Sequence, residues 1–299
     1  MTDIEAIRAR HSVRSYDGKP LTDDERASLG RALEANRKGP FGGEVELALI
    51  DLDEAEGALA RAKITYGVIR GARSYLVGSV ESPKATVDFG YCFERVVVEA
   101  TKLGLGTCWI GGTFSRGAFA ERAKVKAGRL IPCVSPVGHD SGSRSLIERS
   151  FRLFAGSHRR KPWAELFFLD AAGAPLTPEV AGEYADALEC VRIGPSAANV
   201  QPWRVFADPK ARQSDGGGPG GEADRGSFEL HFGLSRRHVY DQSISAVSLQ
   251  EVDLGIALCH FELACRERKL DGRWRRDASP ALPAGIEYIA TWTHEGGQP

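Results

Sequence analysis

Residues 20–45 read PLTDDERASLGRALEANRKGPFGGEV, and residues 175–200 read PLTPEVAGEYADALECVRIGPSAANV. Laid on one another without gaps, the two stretches share Pro-Leu-Thr at the start and Ala-Leu-Glu in the middle. They also share an arginine (Arg37, Arg192), a Gly-Pro pair (Gly39-Pro40, Gly194-Pro195) and a closing valine (Val45, Val200). Ten identities in 26 positions stand against about one or two expected by chance, which marks an internal repeat. Each copy opens with a threonine suited to cap a helix, and helices are expected over Asp23–Ala35 and Glu179–Val191.

Working outward, Asp88-x-Gly90 and Trp109 recur as Asp253-x-Gly255 and Trp274, now 165 residues apart, while His139 and His294 return to a separation of 155. The chain therefore reads as two tandem copies of one unit, residues 1–155 and 156–299. The ten-residue difference is assigned to Lys210–Ser227, whose Gly-Gly-Gly-Pro-Gly-Gly core (residues 216–221) reads as a flexible surface loop over 210–227. That loop lacks the Lys-Ser/Thr and helix start of a phosphate cradle. Two copies are too few for a solenoid. They imply a dimer made covalent, its halves related by a pseudo-two-fold axis, so that a monomer acts as a pseudo-dimer.

Two further helices are expected over Val87–Leu103 and Ser248–Lys269, apolar on more than one side. Short β-branched or aromatic runs mark strands at Val45–Asp51, Ser74–Val80, Ile131–Pro136, Glu165–Leu169, Trp203–Ala207, Ser227–Phe232 and Glu287–Trp292. The class is α+β, a mixed sheet packed with helices in each copy.

Composition narrows the function. A chain of 299 residues with 42% hydrophobic content can fill a substantial core. With 39 basic against 40 acidic residues, no global field favours nucleic acid or an anionic membrane, so any anion site is local. No basic stretch leads an apolar run at the N-terminus, and no transmembrane-length apolar run occurs. Six cysteines without a Cys-x-x-Cys pair read as reduced thiols in a cytoplasmic protein. The scattered histidines offer no metal-ligand spacing, and Ser12 has no triad context.

Two stretches carry chemistry. Arg10-His11-Ser12-Val13-Arg14 puts two guanidinium groups and a hydroxyl within five residues, a clamp suited to a phosphate. Gly194-Pro195-Ser196-Ala197-Ala198-Asn199-Val200-Gln201-Pro202-Trp203 offers small residues and amides suited to a planar ligand; Gln201 and Trp203 read as structural. In the 155-residue register, Arg10–Arg14 falls on Glu165–Leu169 and Ser196–Trp203 falls on Phe41–Ala48, so each copy has lost what the other keeps. A two-fold dimer builds each site from one motif of each subunit. Fusion and divergence would leave one complete site.

These two stretches, with Gly-Leu-Gly-Thr-Cys-Trp-Ile-Gly-Gly at 104–112, resemble the motifs of the FMN-dependent nitroreductases. The resemblance covers nearly the whole chain and is closest to the single-chain subgroup with two nitroreductase-like halves, which also carries Arg-Lys-Pro-Trp-x-Glu-Leu-Phe, here Arg160–Phe167. It implies FMN at the interface of the halves. Arg10 and Ser12, flanking His11, would hold its phosphate together with Arg160 and Arg159, and Arg14 would face the N1/O2 edge. Gly111 and Gly112 would let the backbone approach N5 and O4; at an offset of 165, Arg276 stands in the place of Gly111. Pro195, Ser196, Ala197 and Asn199 would contact the ring and ribityl chain across the interface, and Arg70 the pyrimidine edge.

The activity so implied is ping-pong hydride transfer from NADH or NADPH to a small acceptor of nitroaromatic or quinone type, with no side chain obliged to act as acid or base. The alternatives are an FMN carrier or sensor and a pseudoenzyme with an empty site.

Overall fold

The computed structural model describes residues 1–52, 64–142, 159–170, 173–208, 229–237, 246–277 and 280–294. The 155/156 division and the 210–227 loop fall outside the described residues. In chain order the elements are α1 (Asp3–Ala9), α2 (Asp23–Ala35), β1 (Val45–Asp51), β2 (Ser74–Val80), α3 (Thr86–Lys102), β3 (Gly106–Thr107), α4 (Arg116–Arg122), β4 (Val134–Gly138), β5 (Phe167–Leu169) and β6 (Ala174–Pro175). They continue with α5 (Pro178–Ala181), α6 (Ala185–Arg192), β7 (Trp203–Asp208), β8 (Glu229–Ser235), α7 (Leu249–Glu267), β9 (Gly272–Arg275) and β10 (Ile286–His294).

The repeat is visible in the sheets. One runs β1-β2-β4-β3 and the other β6-β5-β7-β8-β10-β9, so that β7, β8, β10 and β9 repeat the order of β1, β2, β4 and β3. Helices α3 and α7 pack on one another between the halves. A Cβ on Gly90 would collide with the carbonyl oxygen of Val252, and a Cβ on Gly255 with that of Val87. Val87 and Val252 are themselves repeat partners, so the two contacts are one contact made twice about a local two-fold axis, the signature of an isologous interface. Only glycine permits this approach. One continuous apolar core, from Ile4 through Phe93 and Leu254 to Trp292, spans both halves.

Local sequence sets the boundaries. Thr2 and Thr22 each form a reciprocal capping box, with Glu5 and Glu25, and start α1 and α2. The helix expected over Glu179–Val191 is broken. It forms α5, a 3-10 turn at Gly182–Tyr184 and α6, because Gly182 adopts φ +56°, a conformation glycine takes without strain. The strand expected from Ile131 starts at Val134, and that expected from Glu165 starts at Phe167, after a 3-10 turn at Trp163–Glu165.

Two readings of the repeat are corrected. Residues 52–73 join β1 to β2 and residues 209–228 join β7 to β8, so the glycine-rich stretch is no longer than its counterpart. Strands β2 and β8 still lie 155 apart, whereas Gly90 and Gly255 lie 165 apart, which puts the ten added residues between β8 and α7. Nor is Glu165–Leu169 the counterpart of Arg10–Arg14. Ser12 bridges Thr107 beside β3, while Phe167–Leu169 pair in parallel with β7, the equivalent of β1. The two stretches border opposite edges of equivalent sheets. An ungapped register cannot see which edge a strand joins.

Candidate functional site

Helix α1 carries the first motif to the second half. The Ile4 N–H donates to Glu267 Oε2 at 2.9 Å, and Arg8 pairs with Asp186 at 3.0 Å, which fastens α1 to α7 and α6. Its C-cap is Arg10. Burial, and after it the charges of Arg10 and then Arg192, pushes the Arg160 guanidinium down to about 10. Arg160 donates from Nε to Ile193 O (3.1 Å) and from Nη1 to Asn199 Oδ1 (2.6 Å). Arg10 Nη1 is buried and meets no acceptor among the described residues. Arg192 does not join the clamp, because Glu189 takes it in a bidentate pair at 2.6 Å. A buried guanidinium N–H left unused, in the field of a second arginine, has the chemistry to take an anion.

The second motif is a strained turn. Ala198, Asn199 and Gln201 all take positive φ (48°, 55° and 50°), uncommon for residues with a Cβ, and such strain persists only where its surroundings hold it. Asn199 Nδ2 and Gln201 Nε2 both donate to Arg159 O, Gln201 Oε1 accepts from Lys161 N at 2.7 Å, and Gln201 N donates to Ser196 Oγ at 2.9 Å. Gln201 and Trp203 are buried. Ala197 N donates to Asp253 Oδ1 at 2.9 Å. That carboxylate entered the sequence reading only as a repeat landmark, and its recurrence at Asp88 was the available signal of its role.

The third motif reaches the same helix face. A Cβ on Gly111 would lie 2.7 Å from Leu249 Cδ2 and 3.3 Å from Cys133 Sγ. Leu249 and Asp253 are four residues apart on α7 and so share a face, which puts the Gly111 and Ala197 contacts on one side of that helix. Main-chain bonds carry the remaining candidates into place. Val13 N donates to Thr107 O, Arg70 N to Arg14 O, and Tyr16 N to Arg70 O, each at 2.9 Å. Arg70 is exposed, with its backbone laid beside Arg14. His11 is exposed too, with Nδ1 3.2 Å from Ala9 O and Nε2 3.7 Å from Asp140, all within the first half. Pro195, Ser196 and Gly112 are half-buried.

The pseudo-symmetric cleft is filled. Asp88 accepts from Phe41 N (2.9 Å) and Gly43 N (3.1 Å), the counterpart of the Asp253–Ala197 contact. Over the Phe41 ring sits the guanidinium of Arg276, 3.6 Å from the centroid. Phe41 stands where the second half has Ser196, and Arg276 where the first has Gly111. Burial raises the Asp88 carboxyl, with Arg276 opposing, and burial lowers Arg276.

The family model described as "Putative TM nitroreductase" matches residues 3–265. The chain belongs to this nitroreductase family. A "putative nitroreductase" structure from Thermotoga maritima, 19% identical, shares the fold with a TM-score of 0.56 over 98% of this chain and 93% of its own. Two nitroreductases with bound FMN also match. That from Desulfitobacterium hafniense is 19% identical over 48% of this chain and 92% of its own (TM-score 0.36), and that from Bacteroides fragilis 21% identical over 48% and 91% (TM-score 0.38). Curated proteins give no match. In this nitroreductase-family chain all six cysteines are buried and free, and no helix among the described residues is long and apolar enough to cross a membrane.

Proposed function

We propose that this chain is an FMN-dependent oxidoreductase that takes hydride from NADH or NADPH and passes it to a small acceptor of nitroaromatic or quinone type, through one site per chain. The observation that carries the reading is the buried Arg10 Nη1 of the first half, unused among the described residues, whose charge also acts on Arg160 of the second. This is the donor set that a phosphate monoester of nearly two negative charges requires.

In this reading Arg10, Ser12, Arg160 and Arg159 hold the FMN phosphate. Arg14 and Arg70, side by side on adjacent backbone, face the pyrimidine edge, where positive charge favours the electron-rich reduced ring. Gly111 and Gly112 admit the ring against bare backbone, and the strained Pro195–Asn199 turn closes the opposite wall. His11 belongs to the clamp by its place in the chain, its ring being engaged toward Ala9 and Asp140. The chemistry FMN supplies when bound is hydride transfer, two electrons and a proton received from the nicotinamide and delivered, with a further proton from water, to the acceptor. The Phe41–Arg276 stack supports a single site, and six free thiols suit a reducing cytoplasm.

Purified chain should be yellow, release close to one FMN per chain on denaturation, bleach with NADH or NADPH under nitrogen and recover colour with a quinone. A colourless chain that takes up no added FMN refutes the assignment. A flavin that binds but never bleaches reduces it to a carrier.

A further inference from the structure

The segment that follows β3 is fastened on every side but one. Ile110 N donates to Val134 O and Val134 N to Ile110 O, at 2.9 and 3.0 Å, Cys108 N donates to Ser135 Oγ at 3.0 Å, and Trp109 Nε1 to Glu94 Oε2 at 2.6 Å. The next peptide is held by its carbonyl. Arg116, the first residue of α4, donates from Nη2 to Gly111 O at 2.7 Å and from Nε to Ile131 O at 3.2 Å, with its guanidinium 4.6 Å from the centroid of the Phe114 ring. No N–H of Gly111 or Gly112 donates to an acceptor among the described residues.

A trans peptide points its N–H opposite to its C=O. With Arg116 on the carbonyl of Gly111, the N–H of Gly112 is turned away from Arg116. A cation on a peptide oxygen also draws density from the nitrogen and makes that N–H a stronger donor. Among the described residues no carboxylate pairs with Arg116. Burial is what chiefly lowers Arg116, and the groups that oppose this are the Cys133 thiol and the Tyr66 hydroxyl. The link from β9 to β10, residues 276–285, carries no helix matching α4 among the described residues, so the filled cleft lacks the device.

We propose that Arg116 is a positioning residue that orients and polarises the Gly111–Gly112 peptide, so that the Gly112 N–H stabilises negative charge developing on the N5/O4 side of the flavin. This rests on the FMN reading above. It makes flavin reduction more favourable without Arg116 touching the cofactor, which a merely structural tie between Gly111 and Ile131 would not do.

The test compares wild type with Arg116→Lys, Arg116→Gln and Arg116→Ala in the full chain, FMN affinity being measured by fluorescence titration and the two-electron reduction equilibrium against a reference dye. Arg116→Gln keeps a donor without the charge and guards against loss of folding in the alanine variant. Expected is FMN affinity within about threefold of wild type, with a reduction equilibrium about tenfold less favourable in the Gln and Ala variants, about 30 mV for a two-electron couple. The Lys variant should recover most of the difference. A reduction equilibrium unchanged in Gln and Ala overturns the proposal, as does loss of FMN from all three variants, which would mark Arg116 as purely structural. Failure of the wild type itself to bind FMN fails the flavin reading instead, a separate outcome.

Discussion

The Glu94 carboxylate of the first half lies 2.8 Å from Nε2 of His260 in the second, and both side chains are sealed from solvent. His260 Nδ1 is 3.0 Å from Cys190 O, which can only accept, so Nδ1 carries a proton. Trp109 Nε1 fills the other Glu94 oxygen. Glu94→Ala leaves Trp109 Nε1 and His260 Nε2 buried without their partner and should cost about 3 kcal/mol. Glu94→Gln can accept from Trp109 and donate to a neutral His260, and should cost less than about half as much. Urea unfolding of both variants checks the difference; equal losses would mean that an ion pair, rather than hydrogen bonding, holds the halves there.

The Gly90–Gly255 crossing makes a second stability prediction. A methyl group at either position meets main chain on the partner helix rather than a yielding side chain, so α3 and α7 must separate. Gly255→Ala faces Val87 O, Tyr91 N and the Cα of Gly90 together, and should cost about 1–3 kcal/mol, with at least equal loss in Gly90→Ala/Gly255→Ala. Gly30→Ala in α2, where nothing lies within 4 Å of the added Cβ, should be neutral or slightly stabilising in the same thermal melts.

For the anion clamp, Arg10→Ala and Arg160→Ala should each weaken FMN by roughly tenfold to a hundredfold, the value of one or two charge-assisted hydrogen bonds. Riboflavin, which lacks the phosphate, should bind wild type and variants alike. A similar loss for riboflavin would assign the two arginines to the fold instead. In Arg160→Ala the Asn199 Oδ1 keeps a donor in Gln201 Nε2, so the 198–201 turn should persist.

Much of this arrangement was legible in the sequence because its signals are local. The Thr22 cap and the β-branched and aromatic runs of β1 and β2 gave those boundaries to the residue, and the recurring Pro-Leu-Thr and Asp-x-Gly pointed to the repeat that the strand orders show. What failed was non-local. Glu94 and His260 are 166 residues apart and carry no motif. The 155 register mistook β5 for a relic of the clamp, because pairing with β7 rather than alongside β3 is a choice of edge. Edge strands β6 and β9 and the short helix α4 have too few residues to show a period, and with α4 the role of Arg116 was missed.

The filled cleft yields a pH-dependent prediction. Burial, the largest influence, raises the Asp88 carboxyl above its ordinary value, while the amides of Phe41 and Gly43 and the charge of Arg276 pull it back. A carboxyl that is raised on folding holds its proton longer in the native state than in the unfolded chain. Its contribution is therefore favourable below the unfolded value of 3.8 and lost as pH rises through the folded one. Arg276 limits that loss at neutral pH. Removing it in Arg276→Ala also forfeits the stack on Phe41, worth about 1 kcal/mol at any pH. The variant should thus be destabilised more at pH 7.5 than at pH 4.5, as read by urea midpoints, and the excess should vanish in Asp88→Asn/Arg276→Ala. A pH-independent deficit would leave the stack on Phe41 and the hydrogen bond to Ile289 O as what Arg276 does there, with no part in the Asp88 charge.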